Sequence, residues 1–292
     1  MPREAGTPPH PQRMRVGRIP YVNCYPVYGA VDRGIVALDA DLVDGVPTAL
    51  NQAMADGALD VSVVSAVEYA RDAARYLLLP DLAISCDGPV RSVLLLARRP
   101  AGDLDGQDVV VSRSSMTSVA LLGLLFAHVW RAQPAFVPGD AEVSDVAGFA
   151  ADPHDARLVI GDAALLLTGG AAAAVRAEYP FVYDLGAEWK RWTGLPFVFA
   201  VWVAQRATPV ADALRVHGGL IASRDWGIDH LDLLAAQASG VTGVPSGACL
   251  DYLSGLDYGL SYPHLAGLTE FYRRLVLAGD VPDGTLAFLP AA

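Results

Sequence analysis

The stretch "RVGRIPYVNCYPVYGAVDRGIVALDADL", Arg15 to Leu42, sets a short β-branched run, "RVGRI", before a helix-like "PVYGAVDRG" and a second extended run, "IVALDADL". The alternation continues outward through "PTALNQAMADG", "DVSVVS", "AVEYARDAARY" and the apolar "SVLLLA". Short strands alternating with helices predict a parallel α/β sheet. Pro47 suits a first helical position, and Ser65-Ala66-Val67-Glu68 has the S-x-x-E spacing of a capping box.

A second α/β block begins at "QDVVVS", runs through "SSMTSVALLGLLFAHVW" and "ARLVIGD", and ends at "PFVFAVWVAQ". Beyond it, "VADALRVHGGLIASRDW", "IDHLDLLAAQASG" and "LAGLTEFYRRLVLAG" carry helical apolar spacing with few strand signals. The Ala-rich "GGAAAAVRAEYP" is expected to be a surface helix. No low-complexity linker separates the blocks, so two apposed lobes are expected, with a ligand cleft between them. The expected boundaries are a frayed lead-in over 1–14, a discontinuous first lobe over 15–99 and 204–292, and a second lobe over 100–203.

The chain's 292 residues, 53% hydrophobic, suffice for about two domains, each with its own core. Runs such as "SVLLLA" and "VALLGLLF" are too short to cross a bilayer, which takes about 20 apolar residues. The polar, Pro-rich start "MPREAGTPPHPQRM" has no apolar signal core, which leads to the expectation of a cytoplasmic protein. A net charge of −11 repels phosphate backbones and argues against nucleic acid as a partner. Cys24, Cys86 and Cys249 form no CxxC, and the six histidines form no HExxH, so neither a disulfide framework nor a bound metal is expected.

Five stretches carry candidate chemistry. In "PYVNCYP", Asn23 offers a donor and an acceptor at the carboxyl end of a strand, where α/β proteins bind ligands; the competing reading is a turn or N-cap. Cys24 has no nearby His base and reads as a buried thiol. In "SRSSMTSVALLGLLF", Ser112, Ser114, Ser115, Thr117 and Ser118 crowd a helix start, which suits a carboxylate or phosphate, against plain N-capping. No GxxxxGK[ST] is present, so this is no P-loop. Ser92 opens the strand of "VRSVLLLA" without the GxSxG of a nucleophile elbow. Asp162, after "ARLVIG", is a candidate base, hydroxyl ligand or N-cap. In "DLGAEWKRWTGLPFVFAVWVAQ", Trp189 and Trp192 read as packing, whereas Thr193 and Gly194 are candidates for the cleft. His128, His217, His230 and His264 read as structural.

Taken in order, "GRIPYVNCYP", "RSVLLLA", "SRSSMTSVALLGLLF", "VIGDAALL" and "DLGAEWKRWTGLPFVFAVW" resemble the chorismate dehydratase family of the futalosine menaquinone pathway, and the tail "CLDYLSGLDYGLSYPHLAGLTEFY" resembles its C-terminal region. The resemblance covers nearly the whole chain. It implies a type II periplasmic-binding-protein fold, an enzyme working without a cofactor, and loss of water from chorismate to give 3-[(1-carboxyvinyl)oxy]benzoate. It also implies Asn23 and Ser92 as active-site residues; Ser114, Ser115, Thr117, Ser118, Asp162, Thr193 and Gly194, read from their stretches, are the candidates around the substrate. No matched motif supplies a strong base other than Asp162, so the substrate's own enolpyruvyl carboxylate is a second candidate for the proton. The dihydroxynaphthoate synthase of the same pathway carries an acidic residue soon after its Asn; "NCYP" here favours the dehydratase. The expected partner is the small-molecule substrate, with a homodimer left open. The same features also describe a non-catalytic binder of a small anion.

Overall fold

The computed structural model describes residues 13–139, 154–168 and 172–291. Strands β1 (Met14–Arg18), β2 (Ala40–Asp44), β3 (Val61–Ser65), β4 (Tyr76–Cys86) and β10 (Phe197–Gln205) form one sheet in the order β2-β1-β3-β10-β4. A second sheet holds β5 (Val93–Ala97), β6 (Asp108–Ser112), β7 (Ala135–Gly139), β8 (Ala156–Ile160) and β9 (Phe181–Asp184) in the order β7-β6-β8-β5-β9. The first three strands of each order run parallel, and the fourth, β10 or β5, runs antiparallel to its neighbours. The sheets are therefore mixed, where the alternation predicts purely parallel ones.

That fourth strand corrects the expected lobe boundaries. "SVLLLA", read as the end of the first lobe, is β5 and lies inside the second sheet; "PFVFAVWVAQ", read as the end of the second, is β10 and lies inside the first. The chain thus crosses between Cys86 and Val93 and returns between Thr193 and Phe197, rather than near 99 and 204. Burial on both faces explains why apolar content alone misplaces these strands: Val93, Leu95 and Ala97 of β5 face the main core, while Leu94 and Leu96 face a smaller cluster with Val159, Leu167 and Tyr179.

The first lobe adds α1 (Tyr25–Asp32), α2 (Pro47–Ala55) and α3 (Ala66–Arg71); Pro47 opens α2 as the sequence predicts. The second lobe adds α4 (Met116–Leu125), which passes into a wider π turn over Phe126–Trp130, then α5 (Gly161–Thr168), α6 (Ala172–Glu178) and α7 (Leu185–Thr193). The Ala-rich stretch contributes α6, and its first three residues lie outside the described ones. The last third is helical, with α8 (Val210–Asp229), α9 (Leu231–Thr242), α10 (Ser246–Leu253) and α11 (Tyr262–Ala278).

These tail helices complete the first lobe. A Cβ on Gly227 of α8 would stand 2.1 Å from the Pro26 carbonyl oxygen, so only glycine lets α8 lie this close to α1. Ser223 Oγ accepts from Ala30 N–H at 3.2 Å in the same contact. Buried Trp202 of β10 donates to Tyr28 Oη at 3.0 Å, and Tyr28 donates to the Gly17 carbonyl at 3.2 Å, tying the sheet to α1. The free side of β4 is covered at Leu78, which exchanges backbone hydrogen bonds of 2.8 Å with Ala287 and Leu289. Among the described residues no helix is long and apolar enough to cross a membrane.

Candidate active site

The parallel strands β1, β3, β6 and β8 each end in a turn where the lobes meet, and four contacts join the lobes there, three between those turns and one from α2. Val22 N–H donates to Asp162 Oδ1 at 3.2 Å. The Tyr21 ring lies against Gly161, which adopts a φ of +61° at the start of α5. Val67 N–H donates to Thr117 Oγ1 at 3.3 Å. Asn51 Nδ2 stands 3.2 Å from the Met116 sulfur.

Asn23 sits on a single 3₁₀ turn, Val22–Cys24, between β1 and α1. Its Oδ1 is buried and has no hydrogen-bond partner among the described residues. A buried amide oxygen without a donor costs about 1–3 kcal/mol, so a site that keeps one is arranged to receive a donor from elsewhere. The N-cap reading fails here, because no side chain caps the turn or α1. Cys24 is buried, and burial with the nearby Asp162 charge pushes its thiol well above its usual range, as the sequence reading of an inert thiol requires.

Ser92 is buried in the crossing from β4 to β5. Its Oγ accepts from Tyr252 Oη at 2.9 Å and lies 3.5 Å from the Val90 carbonyl, the limit of a hydrogen bond. Its own carbonyl accepts from Gly161 N–H at 2.8 Å, which sets Ser92 beside Asp162. Asp184 holds the crossing itself: its carboxylate accepts from Val90 N–H at 3.0 Å and Arg91 N–H at 2.6 Å, and it N-caps α7 through Ala187 N–H at 3.0 Å. Arg91 takes a φ of +64°, a left-handed conformation that costs a non-glycine residue about 1–2 kcal/mol. That cost buries Ser92 immediately next to an exposed residue.

Asp162 has a carboxyl pushed up to about 6, chiefly by desolvation, with the Val22 N–H opposing the shift. The structure thus brings Asn23, Ser92 and Asp162 into one connected group, through Val22 and Gly161. Behind the turn, Arg18 is held by Asp44 and Asp32 and is not free to meet a ligand.

The hydroxyl-rich start of α4 has a different use from the one its composition suggests. Ser115 is the N-cap, accepting from Ser118 N–H at 3.3 Å and pairing with Ser118 Oγ at 2.7 Å. Ser112 Oγ accepts from Ser114 N–H at 2.9 Å. Buried Thr117 serves the opposite lobe, meeting a first-turn N–H of α3. This replaces the expected capping box: Ser65 Oγ accepts instead from Asn51 Nδ2 at 3.1 Å, and Glu68 accepts from Tyr76 Oη at 3.2 Å.

Thr193 and Gly194 close α7. Thr193 Oγ1 donates to the Trp189 carbonyl at 2.9 Å and accepts from Leu195 N–H at 3.2 Å, while Gly194 provides the left-handed stop with a φ of 75°. Among the described residues, no hydrogen bond joins them to Asn23, Ser92 or Asp162, and both hydrogen-bonding directions of the Thr193 hydroxyl are taken. The four histidines read as structural are so placed: His264 completes a capping box with Ser261, His217 meets the Pro80 carbonyl at 2.8 Å, His230 stacks on Trp226 and His128 on Trp192. Among the described residues no group of three or more His, Cys, Asp or Glu side chains is placed to hold a metal ion.

Sequence reasoning missed Tyr252, Asn51, Asp184 and the Val22 N–H. Val22 and Asp184 lie within "PYVNCYP" and "DLGAEWKRW", where side-chain type does not report a backbone donor or a carboxylate that holds another segment, and Tyr252 and Asn51 are distant in sequence from the Ser92 and Met116 they meet.

Two mixed α/β lobes, each completed by a strand that the chain reaches by crossing from the other, define a fold of the periplasmic-binding-protein-like class. Solved structures agree on the fold: the chain is similar to protein AF1704 from Archaeoglobus fulgidus (TM-score 0.75, 19% identity, 92% of this chain and 99% of that one). It is also similar to the alkanesulfonate-binding protein SsuA from Xanthomonas axonopodis pv. citri bound to MOPS (TM-score 0.67, 14% identity, 95% and 97% covered). Within that class the chain belongs to the menaquinone biosynthesis family, whose model matches residues 14–276. A chorismate dehydratase from Thermus thermophilus is 30% identical over 249 residues, 81% of this chain and 87% of that protein.

Proposed function

We propose that this protein is a chorismate dehydratase, eliminating water from chorismate to give 3-[(1-carboxyvinyl)oxy]benzoate. Family membership and the Thermus relative support the reading, and one observation carries it to the site: the buried, unpartnered Oδ1 of Asn23 at the junction of the lobes. In the elimination the hydrogen on the ether-bearing ring carbon leaves as a proton, and its electron pair becomes the new ring double bond. The hydroxyl on the adjacent carbon departs with a proton as water. The ring becomes aromatic, so no oxidant or cofactor is required and the driving force is built into the substrate.

The protein's task is then orientation and charge stabilisation. Asn23 accepts the hydrogen of the ring hydroxyl at Oδ1, or donates from its amide nitrogen to a substrate carboxylate. Ser92 donates its hydroxyl hydrogen to the same cluster. Asp162 fixes the Asn23 turn through Val22 N–H. Asp162 Oδ1 holds Val22 N–H, and the substrate's own enolpyruvyl carboxylate is taken as the proton acceptor.

Incubating the purified chain with chorismate, and following the ultraviolet spectrum and product mass, tests the reading. Formation of the aromatic ether acid at catalytic turnover is the expected result; tight binding with chorismate recovered unchanged would leave only a binder.

A further inference from the structure

Tyr252 comes from α10, in the tail, and its phenol is enclosed: the residue is 1% exposed, and burial pushes its pKa well above the usual phenol range, so it stays protonated. A buried phenol needs an acceptor for its hydrogen. Ser92 Oγ, at 2.9 Å, is the one acceptor the hydroxyl has among the described residues. The direction of that bond follows. If Ser92 donated instead, the phenol hydrogen would be left buried and unmet.

With an acceptor lone pair of Ser92 taken by Tyr252, the serine hydrogen has a single partner among the described residues, the Val90 carbonyl at 3.5 Å. That distance is too long for a good O–H···O bond, whose usual range ends near 3.0 Å. The serine hydrogen is therefore available to a better acceptor, and hydrogen bonds in a chain strengthen one another. We infer that Tyr252 is a positioning residue: it holds Ser92 in the rotamer and polarity in which the serine donates to the bound substrate. The inference rests on the chorismate dehydratase reading. It adds the residue that makes Ser92 a donor rather than an acceptor, and so suits the site to the oxygens of an anion or a departing hydroxyl.

The test is a cycle in the full-length chain with chorismate: wild type, Tyr252→Phe, Ser92→Ala and the double variant, each measured for kcat, KM and melting temperature. Tyr252→Phe should lower kcat by about tenfold, with KM changed by less than about twofold, the loss of one oriented hydrogen bond felt in the transition state. The double variant should be no slower than Ser92→Ala alone, because Tyr252 acts only through that serine. Losses that multiply in the double variant, a Tyr252→Phe enzyme as fast as wild type, or a Tyr252→Phe chain that does not fold would each overturn the inference and return the tyrosine to a packing role. A wild-type chain that leaves chorismate unchanged would instead defeat the underlying reading, and the inference with it.

Discussion

Val22 N–H donates to the Asp162 carboxylate at 3.2 Å, across 140 residues of sequence and from one lobe to the other. The residue after Val22 is Asn23, so the turn that presents the amide is anchored by the lobe it faces.

Replacing Asn23 with Leu should remove turnover, lowering kcat/KM by roughly 10²-fold or more, the scale of losing an oriented donor or acceptor in an oxyanion-type site. The melting temperature should hold or rise, because a buried unpartnered oxygen is removed. Steady-state assays beside a thermal melt separate the two effects; activity within a few-fold of wild type would take Asn23 out of the site.

Asp162→Asn should retain substantial turnover, since an amide oxygen still accepts from Val22 N–H and the proton is assigned to the substrate. A fall beyond about 10²-fold in kcat, of the size that general bases contribute, would make Asp162 the base.

The same carboxyl makes a prediction about stability. Its folded pKa is raised from 3.8 to about 6, so the folded chain binds more protons than the unfolded one between those values. The Asp162 contribution is fully present below about pH 3.8 and is lost as pH rises through about 6. Asp162→Asn is free of this loss and should be the more stable protein at pH 7, by an amount of order 1–3 kcal/mol, with the advantage vanishing towards pH 4. Urea unfolding of both proteins at several pH values measures the difference. An advantage that grows on acidification would contradict the sign.

Asp184→Ala removes the acceptor for Val90, Arg91 and Ala187 N–H at once. A loss of about 2–4 kcal/mol in unfolding free energy is expected, from orphaned backbone donors and a lost helix cap. Turnover should fall too, because Ser92 follows directly. Denaturant midpoints and kcat check the pair; an unchanged midpoint would mean that water replaces the carboxylate at little cost.

The strand and helix content of the chain was legible because each element signals itself locally: Pro47 opens a helix, Gly194 stops one, and the tail repeats apolar residues at helical spacing. Strand membership was not. Residues 93–97 and 197–205 are apolar on both faces, and such runs state that they are central without stating in which sheet. The site divides in the same way. Asn23, Ser92 and Asp162 stand at strand ends, where side-chain type and position speak for themselves. Thr117 and Ser65 looked like a local anion site and a local cap, yet their partners, Val67 and Asn51, are supplied from 50 and 14 residues away. Tyr252 was invisible because its polar partner among the described residues is Ser92, 160 residues earlier.

The return of β10 to the middle of the first sheet has a consequence for how the chain is made. When residue 193 has left the ribosome, the second sheet has every one of its strands, β5 to β9, whereas the first sheet still lacks the strand that joins β3 to β4. The later-numbered lobe is the one that can finish first. The earlier one must wait as an open β2-β1-β3 layer, with β4 apart, until Phe197 to Gln205 and then the tail helices arrive. Its completion is a long-range step, slow by the entropy of closing a loop of more than a hundred residues, and the half-cleft carrying Asn23 is the last part of the molecule to be built.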